Sequence, residues 1–108
     1  RGSTNGVYMS STDEIWFLCH LVSYENRRRF YYHLFVVLDA RTYRLKKWSS
    51  LATFQRFASV EYTLGMVLHD DEKSFTVGLS TMDSTTEMYE IPVADLVLHE
   101  QNIKANPK

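Results

Sequence analysis

The chain follows the same strand-only plan twice, and this repeat limits what it can fold into. Residues Ile15–Trp48 and Glu61–Ile91 each contain three runs of branched and aromatic side chains, separated by two short polar turns. Runs of this kind, bounded by turn-forming residues, are typical of β-strands joined by hairpins. The sequence therefore predicts an all-β fold built from two consecutive antiparallel meander units.

The first two predicted strands are apolar on both faces. In Ile15–Tyr24, the odd positions up to Leu21 carry Ile, Phe, Cys and Leu, and the even positions carry Trp, Leu, His, Val and Tyr. A strand without a polar face is usually covered on both sides. The blades of a β-propeller stack face to face, and strand repeats of ~40–50 residues are typical of them. The alternative is a β-sandwich, although strands of that fold usually have one polar face.

The predicted boundaries define one domain with two flanking segments. We expect a single all-β domain over 14–98, with its two units at 14–48 and 60–92. The preceding residues 1–13 are rich in Gly, Ser, Thr and Asn, and are predicted to be a flexible lead-in or a tag remnant. Residues 99–108 are predicted to be a polar tail.

Two features place individual strands within the units. Lys46 and Lys47 crowd the short strand Tyr43–Trp48, and lysines on a short last strand protect a sheet edge from further pairing. We therefore expect Tyr43–Trp48 to be the outermost strand. Gly65 and Gly78 lie in the middle of their strands, where glycine usually marks a bulge or a close approach by another group.

Composition narrows the partners and the compartment. Hydrophobic residues make up 44% of the chain and the net charge is -1, so there is enough apolar material for a core and no overall attraction to nucleic acid. No apolar run approaches the ~20 residues that a membrane helix needs. The single Cys19 excludes an internal disulfide and fits the cytoplasm or another reducing compartment. The sequence calls for no cofactor, since it has no phosphate-binding glycine loop and no zinc-type Cys/His spacing.

His20 and His33 are candidate substrate-binding residues. If Glu25–Arg28 is a four-residue hairpin loop, His20 lies directly opposite His33, with Cβ atoms ~5 Å apart. Such a pair can share a metal ion or an anion, but a zinc site needs further ligands and none lies at a helpful spacing. The alternative is that both are buried rings bonded to backbone or hydroxyl groups.

Glu61 is the candidate catalytic residue. It begins the inner strand of the second unit, and strand beginnings near a propeller axis line the central funnel. A carboxylate there can act as a general acid, a nucleophile or a ligand for sugar hydroxyls. Trp16 and Tyr62 are candidate sugar-binding rings, because aromatic faces suit the apolar faces of sugars. The alternative is that Glu61, like Asp13 and Glu14 at the matching entrance of the first unit, is a solvated rim charge.

Asp39 and Asp83 occupy equivalent turns in the two units. A catalytic residue rarely recurs in every unit. We therefore expect both to bond backbone N–H groups two residues further along the chain, which is the ordinary use of Asp in turns.

Several runs resemble glycosidase-like five-bladed β-propellers. The run FLCHLVSY at Phe17–Tyr24, followed by RFYYHLFVVLD at Arg29–Asp39, looks like one blade of that family. The run VEYTLGMV at Val60–Val67, followed by VGLSTMD at Val77–Asp83, is similar to the last blade of β-mannoside phosphorylase relatives and of propeller domains attached to some glycosyltransferases. The resemblance extends over about residues 14–97.

That resemblance implies sugar binding or glycoside cleavage in an axial funnel. His20 matches a funnel-lining histidine of the phosphorylases, and Glu61 matches a polar position on the last inner strand. The family uses five blades, however, and its principal catalytic acid comes from an earlier one. The two units would then be a C-terminal portion of such a propeller.

Two functions follow as hypotheses. The first is a carbohydrate-binding or carbohydrate-active propeller portion that is not catalytic alone and has a glycan as its partner, which leaves open whether it is an enzyme. The second is a non-enzymatic protein-interaction or assembly module, whose uncovered apolar sheet faces dock onto a partner or another copy. On either hypothesis we expect a homo-oligomer or the remainder of a larger chain, with no nucleic acid and no membrane as partner.

Overall fold

The structure is a computed structural model that describes residues 2–25, 28–50, 61–81 and 86–100. The strands in these residues are β1 (Gly2–Ser3), β2 (Val7–Met9), β3 (Glu14–Glu25), β4 (Arg28–Asp39), β5 (Leu45–Ser49), β6 (Glu61–Leu68), β7 (Ser74–Thr81), β8 (Thr86–Pro92) and β9 (Leu98–Glu100). A short 3-10 helix, Val93–Asp95, lies between β8 and β9.

The first sheet is built around one long hairpin. Its strand order is β1-β3-β4-β5-β9, and β2 pairs with the other half of the same edge of β3. The hairpin strands β3 and β4 are 12 residues each, and their pairing runs without interruption from Glu14 opposite Asp39 to Glu25 opposite Arg28. The turn is therefore tighter than the four-residue loop that the sequence suggested, because Glu25 and Arg28 themselves pair.

The second sheet has the order β6-β7-β8, and both of its pairings are antiparallel. The register of β6 against β7 shifts between Thr63 and Gly65, which leaves Leu64 as a bulge. Gly65 then lies directly opposite Gly78. The prediction that these mid-strand glycines mark a bulge is confirmed.

The two sheets pack face to face through an aromatic centre. Trp16 and Phe35 come from the first sheet and Phe75 from the second, and their ring centroids lie 5.4 to 6.0 Å apart. The rings adopt the tilted and edge-to-face arrangements that aromatic pairs prefer. The remaining core side chains are Met9, Leu18, Val37, Met66, Val77 and Leu79. Two sheets packed ~10 Å apart, plus their outward side chains, account for a shortest dimension of 21 Å.

Thr4 and Asn5 connect the edges of the two sheets. The backbone N–H of Thr4 donates to the Leu18 carbonyl at 2.9 Å, and the Leu18 N–H donates to Thr4 Oγ1 at 3.0 Å. The side chain of Asn5 points toward β6 of the second sheet. Its Nδ2 donates to the Met66 carbonyl at 3.1 Å, and the Met66 N–H donates to its Oδ1 at 3.2 Å. An amide side chain thus takes the place of a neighbouring strand on the outer edge of β6.

The prediction of an all-β fold with two antiparallel meander units is confirmed. The six predicted strands correspond to β3 through β8, with ends that agree to within two residues. The described residues form two sheets packed face to face, as in the sandwich alternative, and no closed ring of blades. No helix in that part of the chain is long and apolar enough to cross a membrane.

Two details differ from the expectations. The strand predicted over Tyr43–Trp48 is not the outermost one, because β9 pairs with its outer edge at Lys47, Trp48 and Ser49. The segment 1–13, predicted as a flexible lead-in, contains β1 and β2, and Met9 within it is part of the core. Residues 101–108 of the predicted tail lie outside the described residues.

Candidate functional site

The predicted pairing of the two histidines is confirmed. His20 and His33 are direct partners in the β3–β4 hairpin, so both rings lie on the face that turns toward the second sheet. His33 is buried and His20 partly buried. Burial lowers the pKa of His20, because desolvation disfavours the charged ring. A substrate-binding role for either ring stays a prediction.

Trp16 occupies the middle of the core. Its side chain is 1% exposed, and its indole Nε1 donates to Glu14 Oε1 at 3.1 Å. The ring is in contact with Phe35 and Phe75, and in this arrangement it presents no surface to a sugar. Its predicted sugar contact is therefore supported by no observation in the structure.

Glu61 and Tyr62 lie at the start of β6, opposite Thr81 and Ser80 of β7. They belong to the second sheet, whereas Trp16 and the two histidines belong to the first. The side chains of Glu61 and Tyr62 lie outside the described residues, so a catalytic role for Glu61 and a sugar contact for Tyr62 stay predictions.

Glu14 is a buried carboxylate, so the alternative of a solvated rim charge is wrong for this residue. Only 1% of it is exposed, and its Oε1 accepts hydrogen bonds from Thr12 Oγ1 at 2.8 Å and from the Trp16 indole. Its Oε2 lies 2.7 Å from Lys46 Nζ and 3.3 Å from Lys47 Nζ. Burial raises the pKa of Glu14, but the bonds from Lys46, Thr12 and Lys47 outweigh burial and hold this pKa below its usual value.

A bulge brings both lysines to the same acid. Neighbouring residues of a regular strand point to opposite faces, but the register of β5 against β4 shifts between Val37 and Leu38. A bulge re-aims side chains, and here Lys46 and Lys47 both reach Glu14. Glu14 also raises the pKa of Lys46 through their hydrogen bond. These lysines therefore neutralise a buried carboxylate rather than guard a sheet edge.

Glu72 lies in the turn between β6 and β7, and its carboxylate accepts hydrogen bonds from the turn between β2 and β3. Its Oε2 accepts from the Ser10 N–H at 2.9 Å and the Ser10 hydroxyl at 2.6 Å, and its Oε1 accepts from the Ser11 N–H at 3.0 Å. These bonds favour the carboxylate and lower the pKa of Glu72 to about 2. Glu72 holds a left-handed φ of 60°, so the turn fixes the direction of its side chain. The contact links the two units at the end of the molecule away from the hairpin tip.

Asp39 has the structural role that the sequence predicts. Its Oδ1 accepts from the Arg41 N–H at 2.8 Å and from the Thr42 N–H at 3.1 Å, and these backbone bonds lower the pKa of its carboxyl group. The equivalent Asp83 lies outside the described residues.

A histidine, a threonine and a glutamate meet on the outer face of the second sheet. His69 Nε2 lies 2.7 Å from Thr76 Oγ1 and 3.1 Å from Glu90 Oε1, and the Thr76 hydroxyl donates to Glu90 Oε2 at 2.6 Å. In a nucleophilic triad the two ring nitrogens serve different partners, and the hydroxyl gives its proton to the histidine. Here one nitrogen meets both partners and the hydroxyl proton goes to the acid. The arrangement is therefore a surface hydrogen-bond network without an activated nucleophile.

The described part of the chain contains no cluster of side chains that could bind a metal ion. No three His, Cys, Asp or Glu side chains there lie close enough together to hold an ion.

The outer face of the first sheet carries a continuous row of apolar side chains. Four cross-strand pairs of β3 and β4 form it: Ile15–Leu38, Phe17–Val36, Cys19–Leu34 and Leu21–Tyr32. Tyr8, Leu45 and Trp48 extend the row on the neighbouring strands, where they pair with Ile15, Leu38 and Val36. We call these eleven residues the outer apolar face. None of them is charged, and the second sheet packs on the opposite side.

Exposure shows that this face is open. Leu21 is 43% exposed and Leu45 is 42% exposed, and Tyr8 is also exposed, while the other members are partly buried against each other. Burial raises the pKa of the Cys19 thiol in the middle of the face, as expected among apolar neighbours. Contiguous apolar surface of this kind usually marks an interaction site.

The outer apolar face could be predicted from the sequence, whereas the polar contacts of Glu14 and Glu72 could not. The odd positions of the first predicted strand gave the face directly. The contacts of Glu14 with its two lysines and of Glu72 with the β2–β3 turn could not be predicted, because these partners lie far along the chain and depend on a bulge and on a left-handed turn residue. Comparisons with protein-family models, with curated proteins and with solved structures gave no match, so the likeness to five-bladed propellers stays an expectation.

Proposed function

We propose that this chain is a non-enzymatic assembly module whose outer apolar face docks onto a second copy of the chain. The observation that carries the proposal is the uncharged row of four cross-strand pairs with exposed Leu21 and Leu45. Covering such a row removes apolar area from water at about 25 cal/mol per Å², which is the main driving force of protein association.

The chain itself offers a complementary surface. It is a slab 21 Å thick, with one broad sheet face on each side. Among the described residues, exposed large apolar side chains lie on both faces: Tyr8, Leu21 and Leu45 on the first sheet, Val67 and Met88 on the second. A second copy therefore supplies exposed apolar side chains of its own that can cover the outer apolar face.

Carbohydrate binding is the competing prediction. Trp16, one of its two predicted rings, lies in the core, and the side chains of Glu61 and Tyr62 lie outside the described residues. No contact in the described part of the chain favours a sugar over an apolar protein surface.

Light scattering coupled to size-exclusion chromatography tests the proposal. We expect the wild-type mass to rise above 12.7 kDa with concentration, and Leu21→Glu to return it to that value. Tyr24→Glu is the matched control. Tyr24 is on the same strand and more exposed, but as an even position it faces the opposite side, so this variant should associate like the wild type.

Two results would overturn the proposal. One is a wild-type chain that stays at 12.7 kDa at every concentration, and the other is a Leu21→Glu variant that associates as strongly as the wild type. Far-UV circular dichroism checks that the variant is folded. Leu45→Glu, on another strand of the same face, repeats the test should Leu21→Glu not fold.

A further inference from the structure

The geometry points to a head-to-tail contact, in which the outer apolar face of one copy packs on the outer face of the second sheet of the next copy. This inference rests on the proposed assembly function and adds which two faces meet in the contact. The alternative is a symmetric pair in which two outer apolar faces meet. Three features of the chain distinguish the two arrangements.

The first feature is a trough on the outer face of the second sheet. The paired Gly65 and Gly78 form its floor, and Val67 and Met88, 64% and 68% exposed, form its walls. It encloses about 420 Å³. A trough floored by glycines accepts the protruding side chains of another sheet, whereas the bulky outer apolar face has no such floor.

The second feature is the distribution of charge between the units. Residues 14–48 contain three acidic and seven basic side chains, while residues 60–92 contain seven acidic and one basic. The first unit is therefore positive and the second negative, although the whole chain has a net charge of only -1. Opposite charges on facing surfaces favour association, and like charges oppose it.

The third feature is the placement of these charges beside the two faces. Arg41 and Arg44 are exposed at the turn that follows β4, next to the outer apolar face, with Asp13 and Asp39 beside them. Asp70 and Asp71 are exposed at the turn that follows β6, and Glu90 lies on the same face as the trough. In a head-to-tail contact the basic rim of one copy approaches the acidic rim of the next. In a symmetric pair, both contacting faces would belong to the positive unit.

The inference predicts a complementation between two variants that each lack one face. Leu21→Glu places a charge in the outer apolar face, and Met88→Lys places one on the wall of the trough. Each variant alone should stay at 12.7 kDa at concentrations where the wild type associates. An equimolar mixture should form a particle of twice that mass, because each variant keeps the face that the other lacks.

The outcomes of the mixing experiment separate the two arrangements. Self-association of Met88→Lys at wild-type strength would overturn the head-to-tail contact and leave the proposed function intact, since only the outer apolar face would then matter. A mixture that stays monomeric would also overturn it. A monomeric wild type would overturn both proposals. Val67→Lys replaces Met88→Lys should the latter not fold.

Salt dependence gives a second readout. Exposed charges are screened over ~10 Å at 0.1 M salt, so added salt should weaken a contact between the positive and the negative unit. A symmetric pair of positive units would instead strengthen with salt. Stronger wild-type association at high salt than at low salt would therefore contradict the head-to-tail contact.

Discussion

At the residue scale, the most demanding contact in the molecule is that of Glu14. A carboxylate that is almost fully buried needs partners for both oxygens, and here two lysines, a threonine and an indole supply them. Both lysines remain partly exposed, so solvent screens part of their attraction. Glu14 thus fixes the end of β3 against β5 without being available to a substrate.

Replacing Glu14 by glutamine should destabilise the fold at neutral pH. The change leaves two lysines around a neutral amide, and we expect a loss of about 1–2 kcal/mol in the free energy of unfolding. Urea denaturation measures it. Asp95→Asn removes an acid that is exposed and should change the stability by less than about 0.5 kcal/mol. Equal effects of the two substitutions would show that Glu14 is not held as described.

The contribution of Glu14 to the free energy of unfolding should depend on pH. The pKa of Glu14 is lowered from 4.5, so its stabilising charge is present above about pH 4.5 and is lost as the pH falls through the folded-state value. The stability gap between wild type and Glu14→Gln should therefore narrow below pH 4.5. A gap that widens in acid would contradict the assigned direction.

Glu72 allows a direct measurement of a single pKa. Carboxyl chemical shifts followed by NMR should give a pKa of about 2 for Glu72. Ser10→Ala removes the hydroxyl donor at 2.6 Å but keeps the backbone donor, so the pKa should rise part of the way toward 4.5. An unchanged pKa would show that the hydroxyl bond is not made in solution.

At the element scale, the edge formed by β1 and β2 joins the two sheets through one irregularity. Strand pairing with β3 is interrupted at Asn5 and Gly6, and this interruption turns the Asn5 side chain toward β6. Gly6 lies close to the side chains of Phe17 and Ile15 on β3. The edge of β6 is thereby occupied at Met66.

Asn5 should protect the Met66 amide from hydrogen exchange. Asn5→Ala removes the acceptor of that N–H, so its exchange should speed up by about fivefold, in line with about 1 kcal/mol for a lost hydrogen bond. Asn5→Asp keeps an oxygen acceptor and loses only the donor to the Met66 carbonyl. Its Met66 amide should therefore stay protected. Fast exchange in both variants would contradict the proposed role of the acceptor.

Gly6→Ala and Gly65→Ala form a matched pair. A Cβ on Gly6 would lie 2.9 Å from Phe17 Cε1 and Cζ, so this variant should lose about 1–3 kcal/mol of stability. A Cβ on Gly65 would meet only Asn5 Oδ1 at 3.7 Å, and should be tolerated. Thermal denaturation compares them, and a Gly6→Ala variant as stable as Gly65→Ala would contradict the crowding at Phe17.

The strands that the sequence predicted are runs of branched and aromatic side chains between polar turns. The pairing of His20 with His33 could be predicted because the polar residues Glu25–Arg28 mark the turn between the two strands. By contrast, β1 and β2 are only two and three residues long, too short to show a strand pattern, and they are held by backbone pairing and by Thr4 and Asn5. The position of β9 outside β5 depends on a return of the chain after the second unit, and this too is a long-range contact.

At the scale of the whole molecule, two layers leave each sheet with one open face. The core accounts for the inner faces, including the alternation that buries Trp16 and Leu18 while Phe17 and Leu21 point outward. The sequence predicted missing neighbours from strands that are apolar on both sides. We propose that a neighbour lies on the outer apolar face, because the four cross-strand pairs that form it are uncharged.

Trp48 lies on the outer apolar face. Quenching of its fluorescence by acrylamide is therefore the most direct test of docking through that face. Trp16 is 1% exposed and shielded, so quenching reports mainly on Trp48, which is partly exposed beside Val36. We predict that quenching of the wild type falls as its concentration rises, while quenching of Leu21→Glu stays constant. Wild-type quenching that does not change with concentration, under conditions where the mass increases, would show that copies associate elsewhere and would contradict docking through the outer apolar face.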